Sequence, residues 1–165
     1  MSQESNFCHQ CGSVLHMKEI ESKIRPTCLD CGYVLFQDPR LATAVLVTVG
    51  RKLVMVKRGV EPFVGSWAFP SGYVDRCESV EEAAVREVKE ETGLKVRIID
   101  FVGLYSNTGD PVVLAVYSAK VADGILQAGG DALEVALFDF CALPPLPFPH
   151  DKQIITDWGY LCEIS

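Results

Sequence analysis

From Ala42 to Val49 the chain reads Ala-Thr-Ala-Val-Leu-Val-Thr-Val, a β-branched run that predicts a strand. Gly50-Arg51-Lys52 interrupts it as a turn, and Leu53–Arg58 returns as a second strand. Pro62 and Gly65 mark a loop before Trp67-Ala68-Phe69, and Pro70-Ser71-Gly72 predicts a further turn. The apolar period then lengthens. Ser79, with Glu82 three residues on, is a capping box. Val80, Ala84 and Val88 form one apolar stripe, and Gly93 supplies the left-handed residue that ends the helix. Strands are expected within Lys95–Leu104, Val112–Val121 and Glu134–Phe140, the last two joined by a loose connection from Gly124 to Gly130. Beyond the proline-rich Pro144–Pro149, Ile154, Ile155, Trp158, Leu161 and Cys162 recur at helical spacing and predict a closing helix over His150–Cys162. The order is β-rich, helix, β-rich, helix. That predicts an α/β fold, a mixed sheet covered by helices.

The first 38 residues follow a different rule. Cys8-x2-Cys11 and Cys28-x2-Cys31 are separated by 16 residues, and each pair is followed by a glycine, Gly12 or Gly32. Two such knuckles bring four thiolates into one tetrahedron, the arrangement of a structural Zn²⁺ site. Four thiolates close the coordination sphere, so this metal holds structure and does no chemistry. A segment this short cannot bury a core of its own, and metal binding supplies the folding energy. Cys77, Cys141 and Cys162 are scattered singly and read as small core or surface residues. Asp38-Pro39 is the expected seam, dividing a zinc ribbon at 1–38 from a second domain at 39–165.

Composition sets outer bounds. The chain has 165 residues, 48% of them hydrophobic and 22% charged, which is globular and excludes a disordered tail. Its longest apolar stretch, Leu41–Val49, falls far short of the ~20 residues of a membrane span. Met1–Phe7 has neither a basic nor an apolar leader region, so a cytoplasmic address is expected. The net charge of −7 opposes binding to nucleic acid or acidic membranes. The ribbon does not reverse this, since Lys18, Lys23 and Arg25 are matched by Glu19, Glu21 and Asp30.

The acidity is concentrated. Between Gly72 and Leu94 seven acids face three bases, so 23 residues carry −4 of the −7. Glu87, Glu90 and Glu91 stand at i, i+3 and i+4 and project from one arc of the helix. Like charges at that spacing destabilise an isolated helix by a few tenths of a kcal/mol each. A divalent cation turns the same cluster into a chelate of hard oxygens suited to Mg²⁺ or Mn²⁺. Ala83 and Ala84 are expected to border this face and leave room for a bulky anion. Arg86 can reach Glu82 or Glu90 along the helix and Glu78 in the preceding loop. The alternative is a solvated acidic face, and charge alone does not decide between them.

The segment Gly72-Tyr-Val-Asp-Arg-Cys-Glu78, followed after seven residues by Arg86-Glu87-Val88-Lys89-Glu90-Glu91-Thr92-Gly93-Leu94, resembles the Nudix box at every fixed position. The likeness extends over roughly Arg40 to Ser165, with Ser71 standing where many members carry glycine. It implies an α/β/α sandwich and a hydrolase that cleaves a diphosphate joined to another group. It further implies that Glu87, Glu90 and Glu91 bind catalytic Mg²⁺ or Mn²⁺ with the Gly72 carbonyl, while Glu78 and Arg86 brace the helix against its loop. Glu91, or Glu134 in a downstream loop, is implied as general base. Arg58, Lys57 or Arg40 would help to reverse the local sign for an anionic substrate. Relatives often dimerise, so a homodimer is a further expectation.

The pairing of zinc ribbon and Nudix box resembles the NADH pyrophosphatases, which carry a Ser-Gln-Pro-Trp-Pro-Phe-Pro array soon after the box. Here that stretch is Gly103-Leu-Tyr-Ser-Asn-Thr-Gly-Asp-Pro111, and Leu146-Pro-Phe-Pro149 lies too far downstream and reads as the turn into the last helix. A smaller zinc-ribbon Nudix group acting on FAD and ADP-ribose is more similar. Lys57-Arg58, Glu61-Pro62, Trp67…Pro70-Ser-Gly72-Tyr73 and Asp131-Ala-Leu-Glu134 carry that likeness. It implies a small nucleotide substrate, ADP-ribose or FAD, split to release AMP. Phe63, Tyr73, Phe36 and Tyr105 are the flat walls an adenine could use. Hydrolysis of NADH, capped RNA or nucleoside triphosphates uses the same box and stays open. So does a zinc-ribbon binding module on a non-catalytic Nudix scaffold.

Overall fold

The structure is a computed structural model that describes residues 6–163, with side chains through residue 159. Residues 1–5 of the start, where no leader was read, and the side chains of Leu161 and Cys162 lie outside the described residues. The chain forms two compact units, one ending at Asp38 and the other beginning at Pro39.

The first unit is a two-stranded antiparallel hairpin, β1 (Leu15–Ile20) and β2 (Lys23–Cys28), turning through Glu21 and Ser22 in left-handed conformations. Neither strand was expected from the sequence, because Leu-His-Met-Lys-Glu-Ile and Lys-Ile-Arg-Pro-Thr-Cys bury little on either side. Among the described residues of this unit only Cys8, Thr27 and Cys28 are classed with the buried interior, together with Pro26. The hairpin therefore depends on what gathers its cysteines.

The second unit is a mixed seven-stranded sheet of β3 (Arg40–Val49), β4 (Lys52–Arg58), β5 (Trp67–Ala68), β6 (Ser71–Tyr73), β7 (Leu94–Tyr105), β8 (Val112–Gly124) and β9 (Ala132–Asp139). β3 and β4 pair only beside their hairpin, at Thr48–Leu53 and Val49–Lys52, and then splay apart. β3 continues with β6 and, in parallel, with β8; β4 continues with β5 and β9. The expected turn at Pro70-Ser71-Gly72 is thus half strand, captured because its backbone groups pair with Ala42–Ala44 of β3.

Period-two alternation gives the sheet two apolar faces. On one, Val45, Val47, Val54 and Ala119 pack under α1 (Val80–Thr92) through Ala84 and Val88. On the other, Leu46, Leu53, Met55 and Val116 pack with Ile154 and Trp158 of α2 (Asp151–Glu163). Ala83 and Ala84 are both fully buried, so they do not border an anion's approach as expected. Small side chains there let the helix lie close to the sheet. No helix among the described residues is long and apolar enough to cross a membrane.

Candidate active site

α1 begins and ends where its sequence says it should. Ser79 Oγ accepts the Glu82 N–H at 3.2 Å while Glu82 Oε2 accepts the Ser79 N–H at 3.0 Å. Gly93 closes the helix at φ 73°, its N–H reaching the Lys89 carbonyl. These ends fix the azimuth at which Arg86, Glu87, Glu90 and Glu91 leave the helix.

Arg86 is the hub. Its Nε and Nη2 donate to the two oxygens of Glu78, each at 2.8 Å, and Nη2 also reaches the Tyr73 carbonyl at 3.0 Å. Nη1 donates to Glu87 Oε1 at 2.6 Å and to Glu90 Oε2 at 3.3 Å. A planar fork is the one cationic side chain that can hold a loop carboxylate, a carbonyl and two helix carboxylates at once. The Arg86 guanidinium holds the Glu78 carboxyl down to about 2. Glu82, offered by the sequence as another partner, is occupied by the cap.

Beneath this hub Glu87 lies against the backbone of Gly72 so closely that a Cβ there would stand 2.1 Å from Glu87 Cδ. Glu91 is the deepest of the three, 8% exposed, and its Oε2 accepts the Ser71 N–H at 2.9 Å. Burial pushes the Glu91 carboxyl up to about 7 against the pull of that hydrogen bond, with the Glu87 charge adding to the rise. Burial also raises Glu87, in spite of Arg86. Glu90 is the outermost, with 53% of its side chain exposed.

All three helix carboxylates line a cleft of about 760 Å³, together with Gly72, Arg58, Phe63 and Tyr73. The site residues read from the sequence around the acidic helix therefore converge. Arg58 donates through Nε to the Pro62 carbonyl at 2.8 Å and lies over the Phe148 ring. Arg40 is not among the lining residues; its guanidinium caps the Tyr73 ring at 3.6 Å. Phe36 belongs to the first unit, under Arg25.

The structure corrects the placement of Glu134. It is not in a loop and does not line the cleft: it lies inside β9, opposite Lys57 of β4, and its Oε2 pairs with Lys57 Nζ at 3.3 Å. The acid that this segment delivers to the cleft is Asp131. Its backbone is fixed by the chain on both sides. Gly59 N–H donates to the Asp131 carbonyl at 2.8 Å, so near that a Cβ on Gly59 would fall 2.6 Å from that oxygen. The approach to it is also not the loose connection expected. Gln127 and Gly129 donate their N–H groups to the Thr92 and Glu91 carbonyls at 2.9 and 3.2 Å, strapping the segment over the end of α1. The glycines at 124, 129 and 130 were the visible signal for close backbone contact. Sequence reading also missed Phe148, His150 and Asp151, which line the cleft from the start of α2.

The donor set suits a hard cation. Its oxygens are held apart by protein partners, Arg86 for Glu87 and Glu90 and Ser71 for Glu91. Among the described residues, the four cysteines form the only group of metal-ligand atoms all within 4.8 Å of one another. Mg²⁺ does not require a dedicated all-protein cage, since it keeps several waters and takes phosphate oxygens as ligands.

In the ribbon, Cys8 and Cys31 Sγ are 3.6 Å apart and Cys11 and Cys28 Sγ 3.5 Å apart. Tetrahedral Zn–S bonds of about 2.3 Å require edges of about 3.8 Å, so the four sulfurs fit zinc with little movement. Gly12 and Gly32 follow the second cysteines at φ 78° and 76°, conformations that let Gly12 and Gly32 N–H reach back to the Cys8 and Cys28 carbonyls. Ser13 hydrogen bonds hold Cys11 down to about 6. Cys31, although the Tyr33 backbone N–H favours its thiolate, is pushed up to about 12 by burial and the neighbouring sulfurs. The four sulfurs lie close enough together to hold one metal ion.

A mixed sheet between two helices, with a cleft floored by arginine-braced carboxylates, defines an enzyme built to meet an anionic substrate through hard oxygen ligands. The chain belongs to the Nudix family, whose domain matches residues 38–159; it is a Nudix hydrolase. It is 42% identical over 130 residues to a protein of Methanocaldococcus jannaschii named ADP-ribose pyrophosphatase, covering 76% of each chain. It is 31% identical over 148 residues to the NAD-capped RNA hydrolase NudC of Pseudomonas aeruginosa, covering 88% of this chain and 52% of that one. The chain thus spans about half the length of its NudC relatives. A crystal structure of a Nudix hydrolase from Nitrosomonas europaea superposes with a TM-score of 0.85 at 26% identity, over 96% of this chain and 90% of that one.

Proposed function

We propose that the chain hydrolyses the pyrophosphate bond of a nucleoside diphosphate linked to a second moiety, with ADP-ribose or FAD as substrate and AMP as one product. The observation that carries this reading is the convergence of Glu87, Glu90, Glu91 and Asp131 with Gly72 on one cleft beside Arg58. The relative named ADP-ribose pyrophosphatase supports the substrate.

Glu87, Glu90, Glu91 and the Gly72 carbonyl would hold Mg²⁺ or Mn²⁺, and Asp131 faces them from the opposite strap. When bound, such ions neutralise phosphate charge and lower the pKa of a water. Arg58 takes part of the remaining negative charge of the diphosphate. Glu91, one oxygen held by Ser71, accepts the proton of the attacking water, which adds to phosphorus as the anhydride P–O bond breaks. The Glu78–Arg86 brace keeps the carboxylates aimed while substrate comes and goes. The four cysteines hold a structural Zn²⁺ in the ribbon, residues 1–38.

The NudC relatives favour a second reading, in which the substrate is NADH or an NAD-capped RNA end. The net charge of −7 weighs against the RNA. The test is a panel of ADP-ribose, FAD, NADH and NAD-capped RNA, each with Mg²⁺, read by release of AMP or of the decapped end. Preference for ADP-ribose or FAD supports the first reading and preference for a nicotinamide substrate the second. Hydrolysis of none of them overturns both.

A further inference from the structure

Counted along the sequence, the bases and acids between Cys8 and Cys31 cancel. Folding sorts them. In the β1–β2 ladder His16 lies opposite Thr27, Lys18 opposite Arg25 and Ile20 opposite Lys23, while Met17, Glu19, Ile24 and Pro26 occupy the alternate positions. Directly opposed residues share a face, and neighbours along a strand do not. Lys18, Lys23 and Arg25 therefore stand on one face of the hairpin, and Glu19 stands on the other. The remaining acids of this stretch lie outside both strands, Glu21 in the turn and Asp30 between the cysteines of the second knuckle. The −4 of the acidic helix region belongs to the second unit and does not enter this balance.

The same face continues past β2. Thr27 bridges Val34, and the Leu35 N–H donates to the Pro26 carbonyl at 2.8 Å, so the chain runs antiparallel beside β2 and sets Phe36 next to Arg25. The Arg25 guanidinium lies over the Phe36 ring, 4.6 Å from its centroid. Lys18, Arg25 and Phe36 thus form one row across the hairpin, with Lys23 two residues along β2 from Arg25. Phe36 is 53% exposed, and Lys18 and Lys23 are exposed as well. None of the three bases forms an ion pair among the described residues. An exposed ring backed by a planar cation and flanked by two lysines matches one class of ligand. A single strand of nucleic acid offers phosphates to the lysines and an unstacked base to the ring. A duplex keeps its bases stacked, and an acidic peptide brings charge without a base, so neither satisfies both.

We propose that this face of the ribbon binds single-stranded RNA. Lys18 and Lys23 hold its phosphates, and a base stacks on the Arg25–Phe36 pair. The ribbon then has a ligand of its own besides its zinc, and the NAD-capped RNA reading above gains a hold on the strand behind the cap. The site concerns binding by the ribbon and not hydrolysis in the cleft, so each can fail separately.

The experiment is fluorescence anisotropy of the full chain with a labelled, uncapped, unstructured RNA of about 12 nucleotides, without added Mg²⁺. Three cationic contacts on a single strand predict a log–log salt slope of about −2, so affinity should fall roughly 15- to 20-fold between about 50 and 200 mM salt. Lys18→Gln with Lys23→Gln should weaken binding about tenfold and bring the slope to about −0.7. Phe36→Leu should weaken it about fivefold with the slope unchanged. Lys120→Gln with Lys152→Gln removes the same charge from exposed positions of the second unit and should change affinity by less than about twofold. Native mass spectrometry of each variant, which should retain its zinc, keeps loss of the ribbon's fold out of the comparison. Equal losses in the two double variants, an unchanged slope in the first, or no saturable binding by the wild type each overturns the site. So does a duplex or polyglutamate that competes as well as unlabelled single-stranded RNA. Binding of this kind by a protein that releases nothing from NAD-capped RNA would sink that substrate reading and leave the ribbon site standing.

Discussion

Gly72→Ala separates the site's geometry from the fold's stability. An added Cβ would meet Glu87 Cδ at 2.1 Å and its oxygens at 2.2 and 2.4 Å. Carbon atoms rest about 3.5–4.0 Å apart, so the carboxylate must retreat by roughly 1.5 Å. The obstructing atoms are the far end of a long side chain that is 15% exposed, held by Arg86 and not part of the backbone, and they can swing outward. Stability should therefore fall only by about 1 kcal/mol, the low end for overpacking, or some 2–4 °C in a domain this size. Arg86 keeps Glu78 and the Tyr73 carbonyl, so the loop stays braced. Activity has no such relief: a displacement of about 1 Å at a reacting centre costs on the order of a hundredfold. The assay is kcat/KM for ADP-ribose at saturating Mg²⁺, with thermal melting on the same preparations. The effect should run through Glu87, so Gly72→Ala combined with Glu87→Gln should fall little below Glu87→Gln alone. A Gly72→Ala variant within about threefold of wild type would refute both the close fit and the role of Glu87.

The other predictions follow from the same geometry. Because the folded-state pKa of Glu91 is raised to about 7 from an ordinary value of 4.5, the folded protein binds more protons than the unfolded chain between those values. Without added divalent cation, stability should therefore drop as pH rises from 4.5 to 7, by roughly 5–10 °C in melting temperature, and Glu91→Gln should flatten that slope; an unchanged slope counts against the buried carboxyl. Asp131→Asn should lower kcat/KM by about ten- to a hundredfold and Glu134→Gln by less than about threefold, an order that reversed kinetics would contradict. Native mass spectrometry should find one zinc per chain, lost in Cys28→Ser with increased protease cleavage between residues 13 and 35. Retention of zinc by that variant would break the four-cysteine assignment.

What was legible in the sequence was local. The capping box, the Gly93 stop and the i, i+3, i+4 carboxylates are set by residues within one or two helical turns, and each stands where its spacing put it. Strand existence was likewise readable from β-branched runs, while strand ends were extended by pairing: β8 continues to Gly124 because β7 is there to receive it. Most of the misses needed a partner distant in sequence. Ser71 and Gly72 became strand only because β3 splays from β4 and leaves the edge of Ala42–Ala44 opposite β8 open. The ribbon strands had no apolar alternation to announce them.

Glu134 and Asp131 show the same limit at the site itself. Three positions apart, both acidic, they are equivalent by composition. The β4–β9 register decides between them. Glu134 falls opposite Lys57, within the ladder, where an ion pair absorbs it. Asp131 falls one residue before the ladder begins, where Gly59 and the strap over α1 hold the backbone and leave the side chain beside Glu91 and the cleft. A register shift at Lys57–Arg58 marks this border, and the same irregular stretch brings Arg58 to the cleft while Lys57 stays outside. One break in one ladder therefore delivers an acid and a base to the site together. Restoring regular pairing across it should remove both from the cleft at once, a coupling that no reading of either residue alone would anticipate.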